Sequence, residues 1–233
     1  MQRRHAGRGF TLVELLVALF AMALLAVMSW RGLDGMTRAQ AQTAARADEV
    51  LTLQVGLAQW AADLDAVIQL PQTIALDWNG RVLRITRRST GSATGGVVVA
   101  AWSRRVVNGS GTWLRWQSAE VTTREQLQQA WDKADIWSQN PGDDEMRGEV
   151  PVTALQEWQV FYFRGGAWTN PMSSDATSVT PPATTARGLA GTPTTASTLP
   201  DGVRLILTLP PGPAISGKLT RDWSRPTLTV GKT

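Results

Sequence analysis

Apolar side chains run almost without a break from Phe10 to Trp30, and Glu14 is the one charged residue among them. The run matches the ~20 residues an α-helix needs to cross a bilayer. From Arg31 the pattern becomes amphipathic. Leu33 and Met36 are followed by Val50, Leu53, Leu57, Trp60, Leu64 and Val67, whose spacing alternates between three and four, the signature of one helix face. Ala39, Ala41, Ala44, Ala45 and Ala47 fill the middle with strong helix formers. Pro71 disfavours helical backbone in the residue before it and marks the end. One helix from about Phe10 to about Val67 is therefore expected, roughly 85 Å long at 1.5 Å per residue. Its segment 10–30 would span the membrane and 31–70 would be amphipathic. Gly32 and Gly35 lie at the seam, either as points of bending or as surface positions without a role.

Beyond Pro71 the period changes to two. Arg81 to Arg87 alternates polar and apolar, Val97 to Trp102 continues as a strand, and Asn108-Gly109-Ser110-Gly111 turns it back into Thr112 to Trp116. Thr123 to Trp137 reads as a helix with Thr123 as N-cap. Leu155 to Phe163 is the strongest strand, Gly165-Gly166 turns into Ala167-Trp168, and Val203 to Leu209 ends at Pro210-Pro211. A long helix followed by antiparallel strands gives an α+β class, with residues 71–233 as a β-rich head. Residues 172–199 are rich in Ser, Thr, Ala, Pro and Gly. They bury too little to offset chain entropy and read as a flexible insertion, or as a partner-binding loop ordered on assembly.

Charge changes the picture less than it first suggests. The sequence pI is about 10.3, yet Arg3, Arg4 and Arg8 all lie in residues 1–9, and the remainder has 20 basic side chains against 19 acidic. That balance makes no electrostatic case for nucleic acid. The basic leader instead keeps the N-terminus cytoplasmic and sends the C-terminal mass across the membrane. There is no Cys, and the single His is His5. Without the leader the chain has neither thiol nor imidazole, which excludes Cys–His and Ser–His–Asp catalysis and His-ligated metal. No catalytic residue, cofactor or metal site is expected, and the chain does not read as an enzyme. Asp63 and Asp65 face different sides of a helix and make a poor catalytic pair. Asp143-Asp144-Glu145 lacks the alternate spacing of a Ca²⁺ loop and reads as a solvated turn. Eleven Trp residues invite a sugar-binding reading. Trp102, Trp116 and Trp158, however, sit within expected strands and read as core, while Trp78, Trp168 and Trp223 lie near turns and could be exposed.

The chemistry concentrates at Arg8-Gly9-Phe10-Thr11-Leu12-Val13-Glu14. A secretory signal cut near Ala21-Met22-Ala23 would leave an apolar start with the run unfinished. A plain anchor accounts for neither Gly9 nor Glu14. A charge near the bilayer centre costs roughly 2.5–3.5 kcal/mol on insertion scales, so Glu14 marks function. Cleavage after Gly9 would leave a cationic amine on Phe10, one helical turn from Glu14. The two charges could pair within one chain or, better, between neighbouring chains in an apolar bundle, where pairing would set axial register.

This junction resembles the N-terminus of type IV pilins and of the pseudopilins of type II secretion. The resemblance implies leader removal by a prepilin peptidase between Gly9 and Phe10, N-methylation of Phe10, and use of Glu14 in filament assembly. Trp30-Arg31-Gly32-Leu33-Asp34-Gly35, Gln59 to Leu64, Val160 to Trp168 and Leu199 to Leu205 are similar to segments of J-type minor pseudopilins. That likeness implies a single-pass protein of the bacterial inner membrane with its head in the periplasm. It would join I-type and K-type minor pseudopilins in a tip complex that primes a pseudopilus for export of folded proteins. The major pseudopilin and the inner-membrane assembly platform are further implied partners. The alternative is a minor pilin of a type IV pilus, serving adhesion, twitching or DNA uptake.

Overall fold

The computed structural model describes residues 10–91, 95–173, 199–212 and 214–226. The chain divides into two units, one ending at Asp48 and one beginning at Glu49. Helix α1 (Leu12–Asp65) starts in the first and ends in the second. Every described residue of the first unit is exposed, so that stretch of α1 has no core of its own to pack on.

The second unit is built on two antiparallel sheets. The first has five strands in sequential order: β1 (Leu76–Trp78), β2 (Val82–Arg88), β3 (Val97–Val107), β4 (Ser110–Gln117) and β5 (Glu149–Ala154). Helices α2 (Arg124–Gln139) and α3 (Asp143–Met146) intervene between β4 and β5. The second sheet comprises β6 (Glu157–Arg164), β7 (Ala167–Thr169), β8 (Gly202–Leu209) and β9 (Gly217–Ser224), in the order β7-β6-β8-β9. Together with α1 this is the expected α+β arrangement. Both tight hairpins follow from local chemistry. Asn108 and Gly109 join β3 to β4 with φ of 50° and 79°, and Gly165 and Gly166 join β6 to β7 with φ of 58° and 85°. Two consecutive positive φ values match the right-handed twist of a hairpin, and Asn and Gly adopt them most cheaply.

Two apolar clusters flank the five-stranded sheet. On one side Leu53, Trp60 and Leu64 of α1 meet Leu83, Ile85 and Trp102, together with Val160, Leu205 and Leu207 of the second sheet. On the other, Leu127, Ala130, Trp131 and Trp137 of α2 cover Val99 and Leu114. With both faces covered, β3 is apolar along most of its length rather than alternating, which is why Val97–Trp102 reads as a continuous run. Thr123 caps α2 as expected, accepting from the Gln126 amide while the Gln126 side chain bonds back, a reciprocal box.

The fixed point between α1 and the first sheet is a charge. Asp63 is fully buried. It accepts bonds from Arg115 Nε and Nη2 at 2.8 Å each, from Trp102 Nε1 at 2.8 Å and from Gln59 Nε2 at 3.0 Å, and it pairs with Arg87. Arg87 comes from β2, Trp102 from β3 and Arg115 from β4, so one carboxylate gathers three adjacent strands. Two residues on, Asp65 accepts from Trp223 Nε1 of β9 at 2.7 Å. The two carboxylates do face different directions, each toward a different sheet.

Several expectations need correction. Helix α1 stops at Asp65 rather than about Val67, and Val67 already forms a bridge to Arg87. Trp78 and Trp223 are buried, not exposed; Trp78 packs edge-on against Trp158 with ring centroids 4.6 Å apart, joining the two sheets. Trp168 is half-buried against Phe163. Trp102, Trp116 and Trp158 are core residues as expected. The acidic run forms the short exposed α3, where Asp144 pairs with Arg147 and Glu145 accepts from the Gly142 amide at 2.9 Å. Of the insertion expected at 172–199, residues 174–198 lie outside the described residues.

Two stability predictions follow from these contacts. Asp63→Ala leaves the buried Arg87 and half-buried Arg115 without their counter-charge and is expected to destabilise the chain by about 3–5 kcal/mol in denaturant unfolding followed by Trp fluorescence. Asp222 of β9 accepts two bonds from Arg204, at 2.7 and 2.6 Å. Those bonds hold its carboxyl below the ordinary value of 3.8. A carboxyl depressed by folding stabilises above its unfolded value, and that contribution is lost as pH falls through the folded one. Melting temperature measured against pH is expected to drop on acidification in the parent, and less so in Asp222→Asn.

Candidate functional site

The residues singled out at the junction are Gly9, Phe10 and Glu14. Gly9 lies outside the described residues. Phe10 is 85% exposed and lies two residues before the first residue of α1. Glu14 occupies the third helical position, and its carboxylate turns back on Thr11. The Thr11 amide and Thr11 Oγ1 each donate to Glu14 Oε2 at 3.0 Å, and the Glu14 amide donates to Thr11 Oγ1 at 3.3 Å. The Thr11 carbonyl accepts from the Leu15 amide. Thr11 is thus the N-cap of α1, and Thr11 with Glu14 forms a reciprocal capping box.

The box matters because of where it lies. The first amides of any helix lack partners within the helix, and in hydrocarbon no water can supply them. Thr11 and Glu14 satisfy two of these donors with side chains, and the carboxylate also sits where the helix dipole favours negative charge. Thr11-Leu12-Val13-Glu14 carries the [ST]-x-x-[EQ] spacing of such a box, so the sequence holds a signal for the cap that the charge-pair expectation for Glu14 does not use. The geometry holds the carboxylate against Thr11, the residue after Phe10, at the end of the helix where cleavage after Gly9 would create an amine.

Along the same helix the apolar side chains project outward: Leu12 is 78% exposed and Phe20 70%. Among the described residues α1 is the one helix long and apolar enough to cross a membrane. An exposed apolar helix, sealed at its start by an internal cap and continuing into a β-rich head, fits a single-pass membrane-anchored protein. Residues 4–30 match the family model of the prokaryotic N-terminal methylation motif. That motif indicates a type IV pilin-like protein, a class that takes in both pilins and pseudopilins. No curated relative matches the chain.

The cap can be separated from the charge. Gln fills the third position of a capping box as Glu does, so Glu14→Gln is expected to leave amide exchange at the helix start unchanged. Thr11→Val removes the oxygen that accepts from the Glu14 amide. Loss of a cap costs ~1 kcal/mol, so exchange of that amide is expected to quicken roughly fivefold. Hydrogen exchange of the chain in detergent micelles, read by mass spectrometry, checks both.

Proposed function

We propose that this chain is a minor pseudopilin of type II secretion, of the J type, and works as a structural subunit rather than a catalyst. The observation that carries the reading is the Gly9-Phe10…Glu14 junction at the head of an exposed apolar helix whose far end is tied into a two-sheet head by Asp63 and Asp65. The similarity of the segment Trp30–Gly35 and of the closing strands to J-type pseudopilins supports the finer assignment. In this reading a prepilin peptidase cuts between Gly9 and Phe10 and methylates the new N-terminus. The helix rests in the bacterial inner membrane with the head in the periplasm. On entry into a pseudopilus, Glu14 exchanges its bond to the Thr11 amide for the Phe10 amine of a neighbour. An attraction of opposite charges in an apolar bundle is strong but must offset desolvation, so it selects one axial position rather than adding much stability.

The subunit would join I-type and K-type minor pseudopilins at the filament tip, prime polymerisation of the major pseudopilin by the inner-membrane platform, and so serve export of folded proteins through the outer membrane. No cofactor or metal enters this role.

The test is replacement of the gene in the source organism by Glu14→Gln. The expected outcome is a chain that is cut and inserted normally, with intact mass beginning at a methylated Phe10, but that fails to enter filaments and reduces export of folded proteins. Normal filament entry by Glu14→Gln overturns the charge-register reading. Normal export accompanied by loss of surface pili replaces the secretion assignment with a minor pilin of a type IV pilus.

A further inference from the structure

Beside the Asp63 cluster, the second unit carries an open groove of about 430 Å³ between α1 and β5. Its walls are apolar. Leu51 and Val55 stand one helical turn apart on α1 and are 56% and 67% exposed; Val150 on β5 is 55% exposed, and Val152 completes that side. Gly56 forms the low point of the helix wall, where a Cβ would lie 2.2 Å from Val152 Cγ1. The floor is different: it is formed by Trp102 and Arg115. Arg115 spends Nε and Nη2 on Asp63 and Gln117, and its side chain remains 13% exposed. Asp63 supplies one negative charge to two guanidiniums, so the cluster carries an excess positive charge, and Arg115 is the member of it that lines the groove.

The occupant must therefore bring apolar side chains and a carboxylate. It is not a strand. The free edge of the sheet here is β5, where Pro151 has no amide to donate and the register against β4 shifts between Trp113 and Leu114, two devices that block strand addition. The exposed i, i+4 row of Leu51 and Val55 beside a glycine is instead the surface into which a second helix packs its own ridge.

We propose that this groove docks an amphipathic helix of another membrane-anchored pilin-like subunit, one that presents apolar residues at i and i+4 and a carboxylate within a turn of them to meet Arg115. The proposal rests on the filament-subunit reading above and names the surface through which the head takes part in it. A neighbouring anchored subunit supplies the right chemistry because the helix that leaves its membrane span must turn amphipathic to reach its own head.

The absence of cysteine makes the test clean. Full-length Val55→Cys, labelled with a benzophenone maleimide in membranes of the source organism, is illuminated, and the adduct is digested and sequenced. The exposed α2 position Asp132→Cys serves as control. The expected adduct joins Val55 to a peptide from the helix following the apolar span of a different chain that bears the prepilin-type junction. Adding Val150→Asp, an exposed position that tolerates charge, sets a carboxylate against the incoming one and is expected to cut the yield about tenfold with the melting temperature unchanged. No adduct above the Asp132 control overturns the proposal, as does an adduct to a second copy of this chain, to lipid, or to a strand of another protein. Intact mass separates the two claims. A mature, methylated chain without the adduct removes the groove proposal and leaves the filament reading standing. A chain still carrying residues 1–9 removes both.

Discussion

A single carboxylate that water never reaches organises this head. Asp63 is surrounded by two arginines, an indole and an amide, each from a different element. Desolvating such a charge costs several kcal/mol, and only near-complete hydrogen bonding offsets it. The penalty makes the site selective: α1 can lie against the sheet in one register, because a shift by one residue would strand Asp63 among Trp60, Leu64 and the strands. Apolar packing by Leu53, Trp60 and Leu64 supplies driving force without direction. The ion cluster adds the direction.

The same logic operates at the other end of the helix with the balance reversed. There Glu14 has no buried cation among the described residues of its own chain. Its partners are the backbone and hydroxyl of Thr11, which steady the helix start without neutralising the charge. The two acids on one helix thus divide the work. Asp63 is spent entirely inside the subunit, and Glu14 is only provisionally occupied. In the proposed function Glu14 is the acid offered to a neighbouring subunit.

The legibility of these features in the sequence followed how local their causes are. The long helix, the two glycine-assisted hairpins and the Thr123 cap depend on residues within a few positions of one another, and each was readable. Strand β5 was not, because Pro151 and its largely exposed side chains leave no alternation to detect. Strand β9 was hidden by Lys218, Thr220, Arg221 and Asp222; only Leu219 and Trp223 turn inward from it. Nothing close to Asp63 in sequence marks its role, because Arg87 and Arg115, 24 and 52 positions away, are brought to it only by the sheet. The Thr11–Glu14 box is local too, but Glu14 serves two purposes, and its rarity as an acid in an apolar run masks its part in the cap.

The pairing of Asp63 with one sheet and Asp65 with the other has a mechanical consequence. Tension applied along α1 would not peel strands away one by one. It would reach both sheets together through two adjacent anchor points, loading short polar bonds in parallel. A helix fastened in this way passes a pull to the two sheets as one piece.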